Sequence, residues 1–354
     1  MSSYNEIYKE VKDILKKLYK KECFSMFSAK DLFYLMDEKT RGILLFSDHM
    51  YQDGHGIQMF LNNTGLNYLH DLLSEEDPAP ATYFYSDCHF LAFVPRKDLL
   101  PDDIKFFKDN KIRIYEDNNL LPIRFKEGYG KTIMSKKDLS DSLNYLFYTY
   151  ALISNEKEDL SLAFERDLTP IAIFDNQAMS YTCHYTGLPN LEQMPKNKKV
   201  NYNLVDDLKN KEFVDDVCYI FHSYFPVKST NDSAYKTIVL AYYVKRKVYK
   251  MELFDCSPEK IEQSFYGFLD ELIDEFGRPL TVLFNHRYLY SIANKTLKNL
   301  NIETKYAKNH GEYDKMVYEL IVEHVSKFEQ DFDGNFEDEE IYLDDNSDDD
   351  SYIS

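Results

Sequence analysis

The stretch "SDHMYQDGHG", residues 47–56, places Asp48, His49, Asp53 and His55 within eight positions. Carboxylates and imidazoles are ligands for Zn²⁺ or Fe²⁺, and a catalytic zinc needs three protein ligands converging on one point. The apolar runs on either side, "GILLFS" (42–47) and "GIQMFLN" (56–62), read as strands. Alternate residues of a strand point to opposite faces, so the four side chains would diverge. Gly54 and Gly56 bracket His55. Asp and Gly are turn formers, the first by bonding nearby backbone and the second by accepting positive φ. The expectation is a hairpin connection, with His89 of "DCH" (87–89) the one remote side chain that could complete a site.

Three further stretches carry ligand or nucleophile types. "FKEGYGKT" (125–132) ends like a phosphate-binding loop, but Phe125 stands where the first glycine belongs, so a turn around Gly128 and Tyr129 is the better reading. "EQDFDGNFEDEE" (329–340) fits a twelve-residue calcium loop, with Glu329, Asp331 and Asp333 at positions 1, 3 and 5, Gly334 at 6 and Glu340 at 12. No helical period follows it, so a solvated acidic tail is expected, with weak Ca²⁺ binding as the alternative and no other cofactor. The pairs Cys183-His184 and Cys218/His222 lie on expected strands, where free thiols usually pack as core. There is no GxSxG elbow, no HExxH helix and no dinucleotide fingerprint.

Asn285, His286 and Arg287 follow the expected strand "RPLTVLF" and open an expected helix. That is the carboxyl end of a parallel strand, where α/β sheets gather ligands. A small molecule, if bound, is expected there; the competing reading makes Asn285 a helix cap.

These positions need elements to hold them. A helix is expected near 4–21, one begun by Thr64 at 64–77, an acidic one in "LPDDIKFFKDN", and one over 136–153. In "SPEKIEQSFYGFLDELIDEFG", Ser257 reads as the cap, Pro258 as first turn and Gly277 as the stop, with Ile261, Phe265, Phe268, Leu269, Leu272, Ile273 and Phe276 on one face. "VCYIFHSYF", "AYKTIVLAYYV" and "VYKMELFDC" read as strands, the last two joined by the basic turn "KRK" (245–247). "RPLTVLF", a helix and "IETKYA" then imply a parallel pair. The fold class is mixed: an α+β domain (1–155), a connecting segment (156–205), a layered α/β domain of a hairpin plus alternating helices and parallel strands (206–328), and a disordered acidic tail (329–354).

Composition narrows the function. The formal charge is −19, and residues 329–354 hold twelve carboxylates and no Lys or Arg; without those twelve it is −7. An acidic body repels phosphate backbones, which counts against direct nucleic-acid binding. "KNKK" (196–199) and "KRK" are short enough to be solvated loops. Five scattered cysteines without a CxxC pair fit unpaired thiols in a reducing cytoplasm. No apolar run reaches the ~20 residues of a membrane span, and the N-terminus lacks a signal-peptide core.

On "GHGIQMFLNNTGLNYLHDLL", "FLAFVPRKDLLPDDIKFFKDNKIRI" and "PIRFKEGYGKTIMSKKDLSDSLNYL", then "FPVKSTNDSAYKTIVLAYYV" and "FGRPLTVLFNHRYLYSIANKTLKNLNIETKYAKN", the chain resembles an uncharacterised bacterial, mostly Firmicute-type family of two adjoining domains of unknown function. The resemblance carries no activity. The C-terminal order of elements is also similar to ribonuclease H-like nucleases and integrases. Those enzymes place one Asp on the first strand and another at the end of the strand after the first helix, so that metals can align phosphoryl chemistry. Here "VLAYYVKR" offers Tyr242 and Tyr243 and "TVLFNHR" offers Asn285, so the resemblance implies an inactive version. The expectation is a non-catalytic protein-interaction protein whose anionic tail engages a basic partner surface. The alternative is an enzyme or small-ligand sensor at Asn285, His286 and Arg287.

Overall fold

The computed structural model describes residues 3–51, 54–74, 86–230, 233–257, 260–308 and, between 311 and 321, all but 312, 314 and 318. Two sheets, each with its own core, organise them.

The first sheet has eight strands: β1 (Phe33–Met36), β2 (Arg41–Tyr51), β3 (Gly54–Leu61), β4 (Cys88–Val94), β5 (Asn119–Lys126), β6 (Gly130–Ile133), β7 (Thr169–Asp175) and β8 (Ser180–Thr186). Their order is β6-β5-β4-β3-β2-β1-β7-β8. All neighbours are antiparallel except β1 and β7. Its helices are α1 (Tyr4–Lys20), α2 (Cys23–Met26), α3 (Asn62–Ser74), α4 (Pro101–Asp109) and α5 (Lys136–Phe164). α1 starts on a capping box, with the Ser3 hydroxyl accepting from the Glu6 amide and the Glu6 carboxylate accepting from the Ser3 amide. Its stripe of Ile7, Val11, Ile14, Leu15 and Leu18 is buried. A buried ring cluster of Phe27, Phe33 and Phe46, joined by Phe164 from the end of α5, locks α2 and α5 onto one face of the sheet.

The second sheet has β9 (Phe213–Lys228), β10 (Tyr235–Tyr243), β11 (Val248–Phe254), β12 (Arg278–Phe284) and β13 (Glu303–Tyr306), in the order β11-β10-β9-β12-β13. β9, β10 and β11 form an antiparallel meander, and β12 and β13 run parallel to β9. Helices α6 (Tyr202–Leu208), α7 (Ile261–Phe276) and α8 (Arg287–Asn299) bury their apolar sides on one face. Tyr313, Met316, Val317, Leu320 and Ile321 pack over Tyr219, Leu240 and Tyr242 on the other. The protein is thus a mixed α/β chain, with an α+β region followed by a layered α/β region. No helix among the described residues is long and apolar enough to cross a membrane.

Local details depart from expectation. The helix expected to start at Thr64 starts at Asn62, whose Oδ1 accepts from the amides of Thr64 and Gly65 (2.9 and 3.2 Å). Ser257 does not cap α7: the helix begins at Ile261, with Lys260 in the cap position, and Ser257 contributes its carbonyl to the Lys260 amide. Gly277 does stop α7, at φ +80, where an added Cβ would lie 2.9 Å from Val214. α5 continues past 153 to Phe164 through a non-helical Glu156. Within 156–205, β7 and β8 extend the first sheet, and α6, which crosses the expected boundary, buries Leu204 and Leu208 in the second core. The calcium-loop residues Glu329, Asp331, Asp333 and Glu340, like the whole acidic tail, lie outside the described residues.

Candidate functional site at the seam between the sheets

β2 and β3 pair through Tyr51 and Gly54, so His49 and His55 lie on opposite arms of an antiparallel hairpin. Asp53 lies outside the described residues. His89 sits on β4 opposite Met59, four positions along β3 from His55. Among the described residues no three His, Cys, Asp or Glu side chains meet in a way that could hold a metal ion.

"FKEGYGKT" is the turn between β5 and β6, with Gly128 at φ +73 and Gly130 at φ +71. Lys131 bonds the buried Asp103 carboxylate (3.0 Å), and the Thr132 hydroxyl donates to the Arg124 carbonyl (3.0 Å). The motif builds a hairpin.

Asn285, His286 and Arg287 do come together with other polar groups. β12 ends at Phe284, His286 takes the cap position of α8, and Arg287 is its first helical residue. The carboxyl end of the parallel β13 brings Tyr306, Ala307 and Lys308 alongside, and β9 brings His222 and Tyr224. The α+β region faces this edge with three pieces: Asp71 of α3, Glu127 and Gly128 of the β5–β6 turn, and Glu192 of the chain between β8 and α6.

Each expected residue is engaged. Asn285 is not the cap of α8. Its Oδ1 accepts from the His222 amide (2.9 Å) and its Nδ2 donates to the His222 carbonyl (3.3 Å), extending the β9–β12 ladder with a side chain. His286 meets Glu127 Oε1 through Nε2 at 3.0 Å, and the Tyr224 hydroxyl donates to the same oxygen (3.1 Å). The His286 ring stacks on His222 at 3.9 Å. Burial, followed by the neighbouring His286, holds His222 well below the usual imidazole range, so it is neutral at physiological pH. Arg287 donates from both terminal nitrogens to Asp71 (2.9 Å each) and reaches Glu192 at 3.3 Å. Burial opposes the Arg287 charge more than any single contact favours it, but Asp71, Tyr306 and Glu192 together outweigh it and raise the guanidinium pKa. A bidentate pair whose side chains are 12% and 16% exposed is an oriented fastening, not a loose surface contact. The Gly128 carbonyl accepts from the Tyr235 amide, closing the seam on the β10 side.

The chain between β8 and α6 straps the two cores together. Asn67 and Gln193 exchange bonds of 2.8 and 2.6 Å, and Leu191 is buried in the first core. Further on, the Lys198 amide donates to the Ser291 carbonyl (2.8 Å) and the Asn201 amide to the Thr296 hydroxyl (3.0 Å). A cavity of about 490 Å³ opens at the seam, lined chiefly by His70, Asp71, Arg287, Tyr290, Tyr306 and Lys308. Its charges balance, Arg287 and Lys308 against Asp71 and Glu192.

Two arrangements are not foreshadowed by the sequence, although His89 itself is a candidate there. Asp216, 1% exposed on β9, accepts through Oδ1 from the amides of Val217 and Lys245 (both 2.8 Å), and through Oδ2 from the Arg246 amide (3.1 Å) and Nε (3.3 Å), so it anchors the basic turn. In the first core, His89 Nδ1 lies 2.8 Å from Ser142 Oγ, and its Nε2 lies 3.6 Å from Asp138. This resembles a Ser-His-Asp arrangement, but Ser142 is fully buried on α5 and bonds the Asp138 carbonyl one turn back. Burial and then Arg124 depress His89 to about 4, too weak a base for the task at neutral pH. The thiols follow suit: burial raises Cys23 to about 11 and Cys88 to about 12, and raises Cys183 and Cys218.

Residues 8–169 match the model of a family described as a domain of unknown function (DUF7309). No curated protein matches the chain. The similarity therefore covers the α+β region from α1 to the first residue of β7, an uncharacterised domain, and leaves β8 and the whole second sheet beyond it.

Proposed function

We propose that the protein is a non-catalytic interaction protein, and that its anionic residues 329–354 engage a basic surface on a protein partner. One observation carries the non-catalytic half: the ligand-gathering edge of the second sheet is the surface on which the α+β region is fastened. Arg287 is spent on Asp71 and Glu192, His286 on Glu127, and Asn285 on the backbone of β9. A substrate would have to displace these bonds to reach the terminal nitrogens of Arg287 or Nε2 of His286.

The order β11-β10-β9-β12-β13, with an antiparallel meander and two added parallel strands, supports reading this region as a degenerate ribonuclease H-like unit. The first strand is β9, one strand earlier than "VLAYYVKR", and the position beside Asn285 holds His222. A neutral, buried imidazole next to an amide is not a hard-oxygen site for Mg²⁺. The anionic half of the proposal rests on the twelve carboxylates of 329–354. Deleting those residues from the full chain should abolish capture of a basic partner from a host extract and leave the urea midpoint unchanged; capture that survives the deletion would refute it.

A second reading is favoured by the cavity at the seam. A space of about 490 Å³ falls in the range of small-ligand sites, and the aromatic rings of Tyr290 and Tyr306 line it. A ligand held there would tie the two regions together and raise the melting temperature, and Arg287→Ala would remove that rise. A metabolite panel that leaves melting unchanged counts against it.

A further inference from the structure

We propose that β8 is a self-association edge: two copies of the chain pair antiparallel through β8, centred on Cys183, and join their first sheets into one. The inference does not depend on the tail or the seam cavity. It starts from the ends of the two sheets. Natural proteins blunt exposed strand edges with charge, proline or extreme shortness. β6 is four residues long and carries Lys131; β11 carries Lys250 and Glu252; β13 carries Glu303 and Lys305. β8 is different. Its seven residues, Ser-Tyr-Thr-Cys-His-Tyr-Thr, include no Asp, Glu, Lys, Arg or Pro, and its register with β7 is unbroken from Thr169–Thr186 to Asp175–Ser180.

Two more observations bear on what covers it. Tyr181 and Tyr185 both donate to Glu156, at 3.3 and 2.9 Å, so the rings on the packed face are held before any partner arrives. Large apolar side chains also flank the strand in the open: Ile173 is 42% exposed and Met179, in the β7–β8 turn, 90%. An ordered, regular edge with apolar flanks is a template for strand addition.

The strand's own sequence points to a second copy as occupant. With a formal charge of −19, two chains repel over most of their surfaces, but β8 itself carries no charged side chain; the nearby carboxylates that act on Cys183, Glu156 and Asp159, belong to α5 on its packed face. The strand also complements itself. Turned about Cys183, Tyr181 faces Tyr185 of the second copy, Thr182 faces His184, and Ser180 faces Thr186. On the open face the row reads Ile173, Thr182, then His184 and Ile171 of the second copy, because β7 pairs Ile173 with Thr182 and Ile171 with His184.

Sedimentation equilibrium of the full chain over a concentration series tests this with two double variants at exposed positions. T182E/H184E brings carboxylates face to face across the axis, and T182E/H184K makes each carboxylate face an ammonium. The parent is expected to dimerise; the first variant weakens association roughly tenfold or more, since like charges directly opposite destabilise a strand pair, and the second restores it. Unchanged urea midpoints show that both variants fold. A parent that is monomeric throughout overturns the proposal, as does a dimer that responds identically to both variants; the latter result would place another surface, or an extended segment of a different protein, at this edge.

Discussion

The buried pair Asp87 and His89 gives a test in which two changes on either side of Cys88 act with opposite sign. Asp87 bonds Arg124 at 2.7 Å, yet burial raises its carboxyl from 3.8 to about 6. His89, two residues on and in β4, is pushed by burial and then by Arg124 from 6.5 down to about 4. Between about pH 4 and 6 the folded chain keeps a proton on Asp87 that the unfolded chain releases, so this group makes stability fall as pH rises. Over nearly the same window the unfolded chain holds a proton on His89 that the folded chain refuses, so this group makes stability rise with pH. At ~1.4 kcal/mol for each pH unit separating folded and unfolded values, each group alone tilts stability by ~3 kcal/mol, and together they nearly cancel. Asp87→Asn should therefore expose the His89 tilt, with stability rising by ~3 kcal/mol from pH 4 to 6.5 relative to the parent. His89→Gln should expose the reverse. Urea unfolding of the three proteins at several pH values measures the differences, and the remaining carboxylates form a common background. If both variants follow the parent's pH profile, the cluster is solvated and the argument that His89 is a neutral structural group, not a base, fails.

The seam gives a second prediction. Arg287→Leu leaves Asp71 and Glu192 facing each other beside Lys308, 3.7 Å from Asp71, and should lower stability by ~3–5 kcal/mol, whereas Arg287→Leu with Asp71→Leu should recover most of the loss; a double variant as unstable as the single one would sink the fastening. Asp216→Ala leaves the half-buried amides of Val217, Lys245 and Arg246 without their acceptor, an expected loss of ~1 kcal/mol or more, read by urea unfolding together with faster amide exchange at Lys245 and Arg246.

What could be read from the sequence divides by the range of the interaction that decides it. The stripe of α7 from Ile261 to Ile273 is a property of one segment, and it packs as its spacing implies. Caps are also local, but several side chains compete for the same amides. Asn62 takes two of them from within reach of Thr64, which is enough to move a helix start by two residues. The role of Asp216 is hidden because two of its partners lie 29 and 30 residues away, beyond the far end of β10. The attachment of β7 to β1 is a parallel pairing across 137 positions, Tyr34 with Ile171, and nothing near either strand announces it.

The seam shows why location can be legible when use is not. A strand followed at once by a helix puts Asn285, His286 and Arg287 at the carboxyl edge of a parallel pair whatever surrounds them, and that topological rule holds here. Whether such an edge binds a ligand or a neighbouring domain depends on what arrives opposite it. Arg287 meets Asp71 across 216 positions and His286 meets Glu127 across 159. A guanidinium next to a strand end looks the same in sequence whether it awaits a phosphate or holds a carboxylate of its own chain. The difference lies in the partner's geometry: both Asp71 oxygens stand 2.9 Å from Arg287 nitrogens, so an incoming anion would have to displace a bidentate carboxylate that pays no translational entropy to stay. An edge closed from within its own chain yields only to a ligand that binds Arg287 more strongly than Asp71 does, or to a change at Asp71 itself.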